Sequence, residues 1–387
     1  MVKYYFQCVN CNQKLDSDEF HYLCPYCAKD NQPGMPPKGI LWMKYDYGHA
    51  PKTSAFELLQ QLLPIQDERS YPPLKVGDTP LYSFQKMNAK ELDFDLLIKD
   101  DSQNPSYSFK DRASALVSAF AKEKGISTII TASTGNAGSS LACICASQNQ
   151  KAIILLPESA PVAKLIQVEM YGAELQKIAG NYDLAFDISV ELSKAKAWFN
   201  RNTAYNPLTI EGKKSVSFEI FDQMKGQIPD MVFVPVGDGV ILSAVYKGFE
   251  DLLFSGFIDK IPQVCAVQAK GSSNLIDNLN TEQLRFPSSS TLADSIAVDI
   301  PRNFYMAKHY LKKYKGDAII VSDDEIMKAS SQMASQFGLF AEPASATAFA
   351  GFIKSHHNGE MIKGSQILVL HTGSGLKDVS SAQNYLH

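Results

Sequence analysis

Asn104-Pro105-Ser106-Tyr107-Ser108-Phe109-Lys110-Asp111-Arg112 is the stretch on which the reading of this chain turns. The apolar run Leu96-Leu97-Ile98 before it reads as a strand, and residues 113–124 after it read as a helix. Lys110 therefore falls near a helix start, at a strand-to-helix corner. That end of a helix is already partly positive, so a cation gains nothing there from the dipole. A neutral amine or imine suits the place better, and a lysine holding an aldehyde cofactor, with phosphate nearby, accounts for the choice. The bland alternative is a lysine that only snorkels to solvent.

Outward from that corner, strand and helix patterns alternate. Strands are expected at 128–131, 152–156, 175–178, 231–236, 264–268, 318–321 and 367–370. Helices are expected at 137–147, 162–171, 182–199, 241–254, 324–337 and 344–355. Unbroken apolar strands between helices predict parallel sheets covered on both faces. The length of 387 residues predicts two such sheets. Ligands in such folds sit beyond the carboxyl ends of the strands. Residues 200–206 read as a polar break and 28–40 as a Pro/Gly-rich linker.

Three more loops fall at strand ends. Ser133-Thr134-Gly135-Asn136-Ala137-Gly138 bares backbone N–H groups beside hydroxyl and amide side chains, which suits a carboxylate or, more plainly, a helix cap. Val236-Gly237-Asp238-Gly239-Val240 leaves room for a phosphate on the backbone amides, although a short Gly-x-Gly is also an ordinary turn and the Asp238 carboxylate is an awkward neighbour for a dianion. His371-Thr372-Gly373-Ser374-Gly375-Leu376-Lys377-Asp378 places a hydroxyl where it could bond a ring nitrogen, or is a plain glycine turn.

At the front, Cys8-x2-Cys11 and Cys24-x2-Cys27 have the spacing of a zinc ribbon, with two disulfides or four free thiols as the alternatives. Four thiolates leave no open position, so the expected role is stability. Cys143, Cys145 and Cys265 read as core. A net charge of -4 without a Lys/Arg run argues against nucleic acid. No apolar stretch spans a membrane and no leader is visible, so the cytoplasm is expected.

Together the loops resemble the fold type II, tryptophan synthase beta-like, pyridoxal-phosphate enzymes, and within them the threonine synthase family. That family carries Asn-Pro-Thr-x-Ser-Phe-Lys-Asp-Arg, a Ser-x-Gly-Asn loop, Glu-Pro-Ala-Ser-Ala and Thr-Gly-His-Gly-Leu-Lys-Asp. The matching residues here are 104–112, 133–136, Glu342-Pro343-Ala344-Ser345-Ala346 and 372–378. The resemblance implies an α/β chain of two doubly wound domains behind a zinc-ribbon-like segment. Its expected parts are 1–34 for the ribbon, 35–105 with 206–387 for the large cofactor-binding domain, and 106–205 for the small domain. It also implies a homodimer and a small amino-acid substrate.

The resemblance assigns roles as well. Lys110 attaches the cofactor aldehyde and carries the Cα proton. Asn136 meets the pyridine hydroxyl. Gly237, Asp238, Gly239 and Val240 offer amides to the cofactor phosphate. Thr372 faces the ring nitrogen, and Ser133, Thr134 and Ala137 take the substrate carboxylate. A neutral threonine at the ring favours elimination and replacement over a long-lived carbanion.

The match departs at the substrate-phosphate segment. The family's Asn-Ser-x-Asn-Pro-x-Arg-x-Glu-Gly-Gln-Lys-Thr reads Thr203-Ala204-Tyr205-Asn206-Pro207-Leu208-Thr209-Ile210-Glu211-Gly212-Lys213-Lys214-Ser215 here. Thr209 stands in place of the arginine. The family's Gly-Asn-x-Gly-Asn loop is Gly237-Asp238-Gly239-Val240-Ile241, and the histidine of its last motif is Ser374. Two readings stay open. In one, Lys164, Lys213 or Arg302 substitutes for the arginine, and O-phosphohomoserine is turned into threonine with phosphate release. In the other, the substrate lacks phosphate and the enzyme is a β-eliminating ammonia-lyase acting on serine, threonine or diaminopropionate. A zinc-ribbon interaction protein on a dead scaffold is the non-enzymatic alternative.

Overall fold

The computed structural model describes residues 2–49, 54–158 and 162–387, with the side chains of His49 and residues 162–164 outside the description. The chain begins with a small antiparallel sheet. β1 (Tyr4–Cys8) pairs on one side with β2 (Lys14–Leu15) and on the other with β3 (Leu41–Tyr45). The 28–40 stretch is pinned rather than free. The Lys38 N–H donates to Asn31 Oδ1 at 2.7 Å, and the Gly39 N–H to Asn10 Oδ1 at 2.8 Å. Ile40 behind it is buried.

After α1 (Ala55–Leu62), β4 (Leu81–Met87) and β5 (Lys90–Asp100) form a hairpin, and α2 (Asp111–Glu123) follows the Lys110 corner. Next comes a parallel sheet built from β6 (Thr128–Ala132), α3 (Asn136–Ser147), β7 (Lys151–Pro157), α4 (Val162–Met170), β8 (Glu174–Ile178), α5 (Tyr182–Lys196) and β9 (Phe199–Asn200), in the order β8-β7-β6-β9. The short helices α6 (Leu208–Lys213) and α7 (Ser215–Gln223) lead to the rest of the large sheet. That part comprises β10 (Met231–Pro235), α8 (Val240–Phe254), β11 (Gln263–Ala269), α9 (Asn274–Asp277), α10 (Phe304–Lys313), β12 (Asp317–Val321), α11 (Asp323–Phe337), α12 (Pro343–His357), β13 (Gln366–His371) and α13 (Val379–Leu386).

The large sheet has the order β12-β11-β10-β13-β5-β4. Its central strands are apolar without interruption because helices cover both faces, and β10 is buried at every position. The expectation of purely parallel sheets fails at one edge. β4 runs antiparallel to β5, is largely open to solvent, and has only one paired side. A half-wet edge strand carries too little apolar pattern to announce itself.

A buried ionic network ties the front sheet to α6 and α8. The Tyr45 hydroxyl donates to Glu211 Oε2 at 2.5 Å. Lys214 pairs with Glu211 at 2.5 Å and with Asp251 at 2.8 Å, and Lys247 pairs with Asp251. Lys44 reaches Glu250 at 3.1 Å. α6 also presses on α2 so closely that a Cβ at Gly212 would fall 2.3 Å from the Arg112 carbonyl oxygen.

Candidate active site

In the large sheet β10, β13 and β5 are neighbours, so their carboxyl ends open side by side. The end of β6 in the smaller sheet faces them. Between them lies a cavity of about 240 Å³, walled by Lys110, residues 132–137, Arg201, Thr203, Lys213, residues 235–241 and the 294–300 loop with Arg302.

Lys110 is held by its neighbours. The Phe109 side chain is fully buried, and its N–H donates to the Thr372 carbonyl at 2.9 Å. Asp111 accepts from the Ser106 N–H at 2.6 Å and from its hydroxyl at 2.5 Å. Arg112 pairs with Asp101 at 2.6 Å and Glu219 at 2.5 Å. The side chains flanking Lys110 are thus locked, and its amine alone is presented to the cavity. Desolvation lowers its pKa to about 8, with Glu342 and Asp238 pulling it up and Arg201 pushing it down. An amine of that kind is neutral often enough near neutral pH to act as a nucleophile or base.

On the opposite wall, Ser133 Oγ accepts from the Gly135 N–H at 3.2 Å and the Gly138 N–H at 2.9 Å. This cap leaves Thr134 and Ala137 on the cavity surface at the N-terminus of α3. The Asn136 amide donates to Glu342 Oε1 at 2.7 Å, an acceptor from the first turn before α12. Gly237, Asp238, Gly239 and Val240 also lie on the wall, at the N-terminus of the fifteen-residue α8. Gly239 sits at φ +86°, and a Cβ there would be 2.9 Å from Ala307 Cβ, so only glycine leaves this turn relaxed and its amides bare. The Asp238 carboxylate accepts from the Arg302 N–H at 3.0 Å, and burial raises its pKa. That bond draws the carboxylate toward the 294–302 loop.

Thr372 is not brought onto the cavity wall. It is buried behind it at the end of β13, where its N–H donates to Ser345 Oγ at 2.8 Å. Of the three substitute cations, Lys213 and Arg302 line the cavity, whereas the side chain of Lys164 lies outside the described residues. Arg302 is engaged, with Nη2 on Asp183 at 2.7 Å and its guanidinium 3.9 Å from the Phe186 ring centre. Thr209 is fully buried away from the cavity and gives its hydroxyl proton to the Asn206 carbonyl at 2.7 Å.

Sequence reasoning missed Arg201. It lies in the 200–206 break, which is buried, not solvated: Asn200, Arg201, Asn202 and Asn206 are all 1% exposed or less. Their amides finish backbone groups, as where Asn202 Oδ1 accepts from the Ala132 N–H at 2.8 Å. The signal available was an arginine set among asparagines directly after a strand.

The residues present suit a phosphorylated aldehyde cofactor. They offer a partly neutral lysine, a helix N-terminus with open amides, and an amide donor. The front cysteines also converge. Their four sulfurs lie within 4.8 Å of one another, with Cys8–Cys27 at 3.7 Å and Cys11–Cys24 at 3.8 Å. Four sulfurs about 2.3 Å from a tetrahedral zinc would stand about 3.8 Å apart. Cys143, Cys145 and Cys265 are buried in the core, as expected. No helix among the described residues is long and apolar enough to cross a membrane.

Comparison with known proteins agrees with this geometry. The family described as "Pyridoxal-phosphate dependent enzyme" matches residues 73–373. The threonine synthase of Methanocaldococcus jannaschii is 34% identical over 97% of this chain and 93% of its own length. That of Halalkalibacterium halodurans is 35% identical over 84% and 90%. Among solved structures, maize serine racemase superposes with a TM-score of 0.67 at 21% identity, covering 80% of this chain and 91% of that one. A tomato threonine deaminase isoform superposes with 0.65 at 23%, covering 81% and 86%. At those identities the structural likeness speaks for the fold.

Proposed function

The chain belongs to the threonine synthase family of fold type II pyridoxal-phosphate dependent enzymes, and from that premise we propose that it acts on an amino acid bearing a phosphate, such as O-phosphohomoserine, releasing phosphate and forming threonine. The observation that carries the reading is the convergence of Lys110, Asn136 and the 237–240 turn on one cavity. When bound, the cofactor draws electrons from the substrate's Cα. The protein's part is to bind, orient and move protons.

Lys110 would hold the cofactor's aldehyde carbon at rest; with the substrate's amine in its place there, the freed Lys110 amine, with a pKa near 8, would take and return the proton at Cα. Asn136, steadied by Glu342, orients the ring through its hydroxyl. The amides of residues 237–240 hold the cofactor phosphate, and Ser133, Thr134 and Ala137 hold the substrate carboxylate at the start of α3. Thr372, at the end of β13, would be the hydroxyl offered to the ring nitrogen. Cys8, Cys11, Cys24 and Cys27 bind one structural zinc. We carry the domain division 1–34, 35–105 with 206–387, and 106–205 as part of this proposal. A homodimer in the cytoplasm completes it, and sedimentation and cell fractionation test that part.

Purified protein shows the visible band of a lysine-bound cofactor, and Lys110→Ala loses it; a colourless wild type that resists reconstitution refutes the assignment. A panel of free and O-phosphorylated amino acids, with phosphate, ammonia and 2-oxo acid followed separately, then tests the substrate. Phosphate release with threonine formation supports the reading. Ammonia with 2-oxo acid from an unphosphorylated substrate replaces it with the ammonia-lyase reading, which the threonine at position 209 favours. Elemental analysis of anaerobically purified protein checks for one zinc per chain.

A further inference from the structure

Among the described residues, two cations in the cavity wall have no ion-pair partner of their own. Arg201 is fully buried; its Nε bonds Ser114 Oγ at 3.2 Å and its Nη1 bonds Thr203 Oγ1 at 3.1 Å. Its Nη2 has no partner among the described residues. Lys213 is 1% exposed and makes no ion pair or hydrogen bond with any described residue. Burying an unpaired cation costs several kcal/mol. The third cation of the wall, Arg302, is already satisfied by Asp183. Asp238 pulls on Lys213 but is itself taken up by the Arg302 N–H.

Positions 209 and 213 lie four residues apart on α6, hence on one helical face. The family pattern has arginine at the first and glutamine at the second; this chain has Thr209 and Lys213. The positive charge has moved one turn along the same face, from a site now sealed in the core to one that opens on the cavity. A guanidinium edge and an ammonium converging on one space suit a tetrahedral oxyanion of two or more charges.

We propose that Arg201 and Lys213 form the subsite for the substrate's phosphate, in place of the arginine missing at position 209. The proposal rests on the function put forward above. In the elimination, the bond between the substrate carbon and the phosphate oxygen breaks, and phosphate departs with the electron pair. The carbon skeleton loses a proton to Lys110 and afterwards takes up water. The two cations face the charge that gathers on the departing oxygen. The cofactor's own phosphate stays on the amides of residues 237–240.

The test compares the wild-type holoenzyme with Lys213→Gln, Arg201→Gln and the double variant Thr209→Arg/Lys213→Gln. The probe is inorganic phosphate, titrated against the cofactor's visible band. Cofactor dissociation and the KM for O-phosphohomoserine are measured alongside. Each single variant weakens inorganic phosphate about tenfold or more and raises that KM, with cofactor affinity unchanged. The double variant, which restores the family arrangement, recovers phosphate binding; this guards against a loss in Lys213→Gln that reflects only a disturbed α6. Unchanged phosphate affinity in both single variants overturns the proposal. Loss of cofactor affinity with an unaltered KM also overturns it, because the cations then serve the cofactor. Binding of phosphate that depends on both residues, in an enzyme that does not turn over O-phosphohomoserine, upholds the subsite and refutes the functional reading alone.

Discussion

Lys213 and Lys214 are consecutive, chemically identical and both buried, yet at the end of α6 they point in different directions. Lys214 touches Glu211 at 2.5 Å, Asp251 at 2.8 Å and the Tyr45 hydroxyl at 3.2 Å. Lys213 looks into the cavity with no bonded partner among the described residues. Burial therefore does not distinguish a structural lysine from a binding one. Pairing does. A charge whose partners are built into the protein holds the fold together. A charge whose partner is missing weakens the fold and waits for a ligand.

The sharpest way to break that contrast is to remove each charge in turn. Lys214→Met strands Glu211 and Asp251 and costs about 3–5 kcal/mol in urea unfolding. Lys213→Met leaves stability unchanged or slightly raised. Similar losses from both would erase the distinction. A smaller effect follows with pH. Desolvation, then Arg201 and Lys110, hold the Lys213 pKa well below its ordinary value of 10.5. Between the folded value and 10.5 the unfolded chain binds the extra proton, so folding is favoured as pH rises through that window. The stability advantage of Lys213→Met over wild type accordingly shrinks between pH 7 and pH 10 in paired urea titrations. A constant difference would show that Lys213 is not strained by its charge. The smallest effect belongs to Tyr45→Phe. It removes the hydroxyl that bridges Glu211 and Lys214 and costs about 1 kcal/mol, without altering inorganic phosphate binding at the other face of α6.

The same contrast explains what could be read in the sequence. That Lys110, Asn136 and the 237–240 turn lie at strand ends was legible because each sits in a local pattern: a lysine at a helix start, or glycines opening a helix. The inner strands β6, β7, β10, β11 and β13 were legible because burial leaves continuous apolar runs, whereas β9 was not, its two residues falling where the sequence reads as a helix end and a polar break. β1 and β3 were not, because each is five residues long and mixes aromatic with polar side chains, and β4 was not, because an edge strand keeps a mixed pattern. Arg201 was hidden for a different reason. Asn200, Asn202 and Asn206 look solvated in sequence, yet each spends its amide on backbone in the interior. Hydropathy cannot separate a polar group bonded to water from one bonded to its own chain. The roles of Lys213 and Lys214 likewise depend on which face of a short helix each takes, and on partners as distant in sequence as Tyr45 and Asp251.

The contact at Gly212 has an evolutionary consequence. With 2.3 Å between a prospective Cβ and the Arg112 carbonyl, no larger residue fits unless α6 withdraws from α2. α2 begins next to Lys110, and Lys213 follows Gly212 directly, so such a withdrawal would shift both lysines at once. A saturation scan would score Gly212 among the most intolerant positions, as though it took part in the reaction, although it has no side chain to offer a substrate. The spacing between Lys110 and Lys213 across the cavity thus rests on a residue that has no side chain.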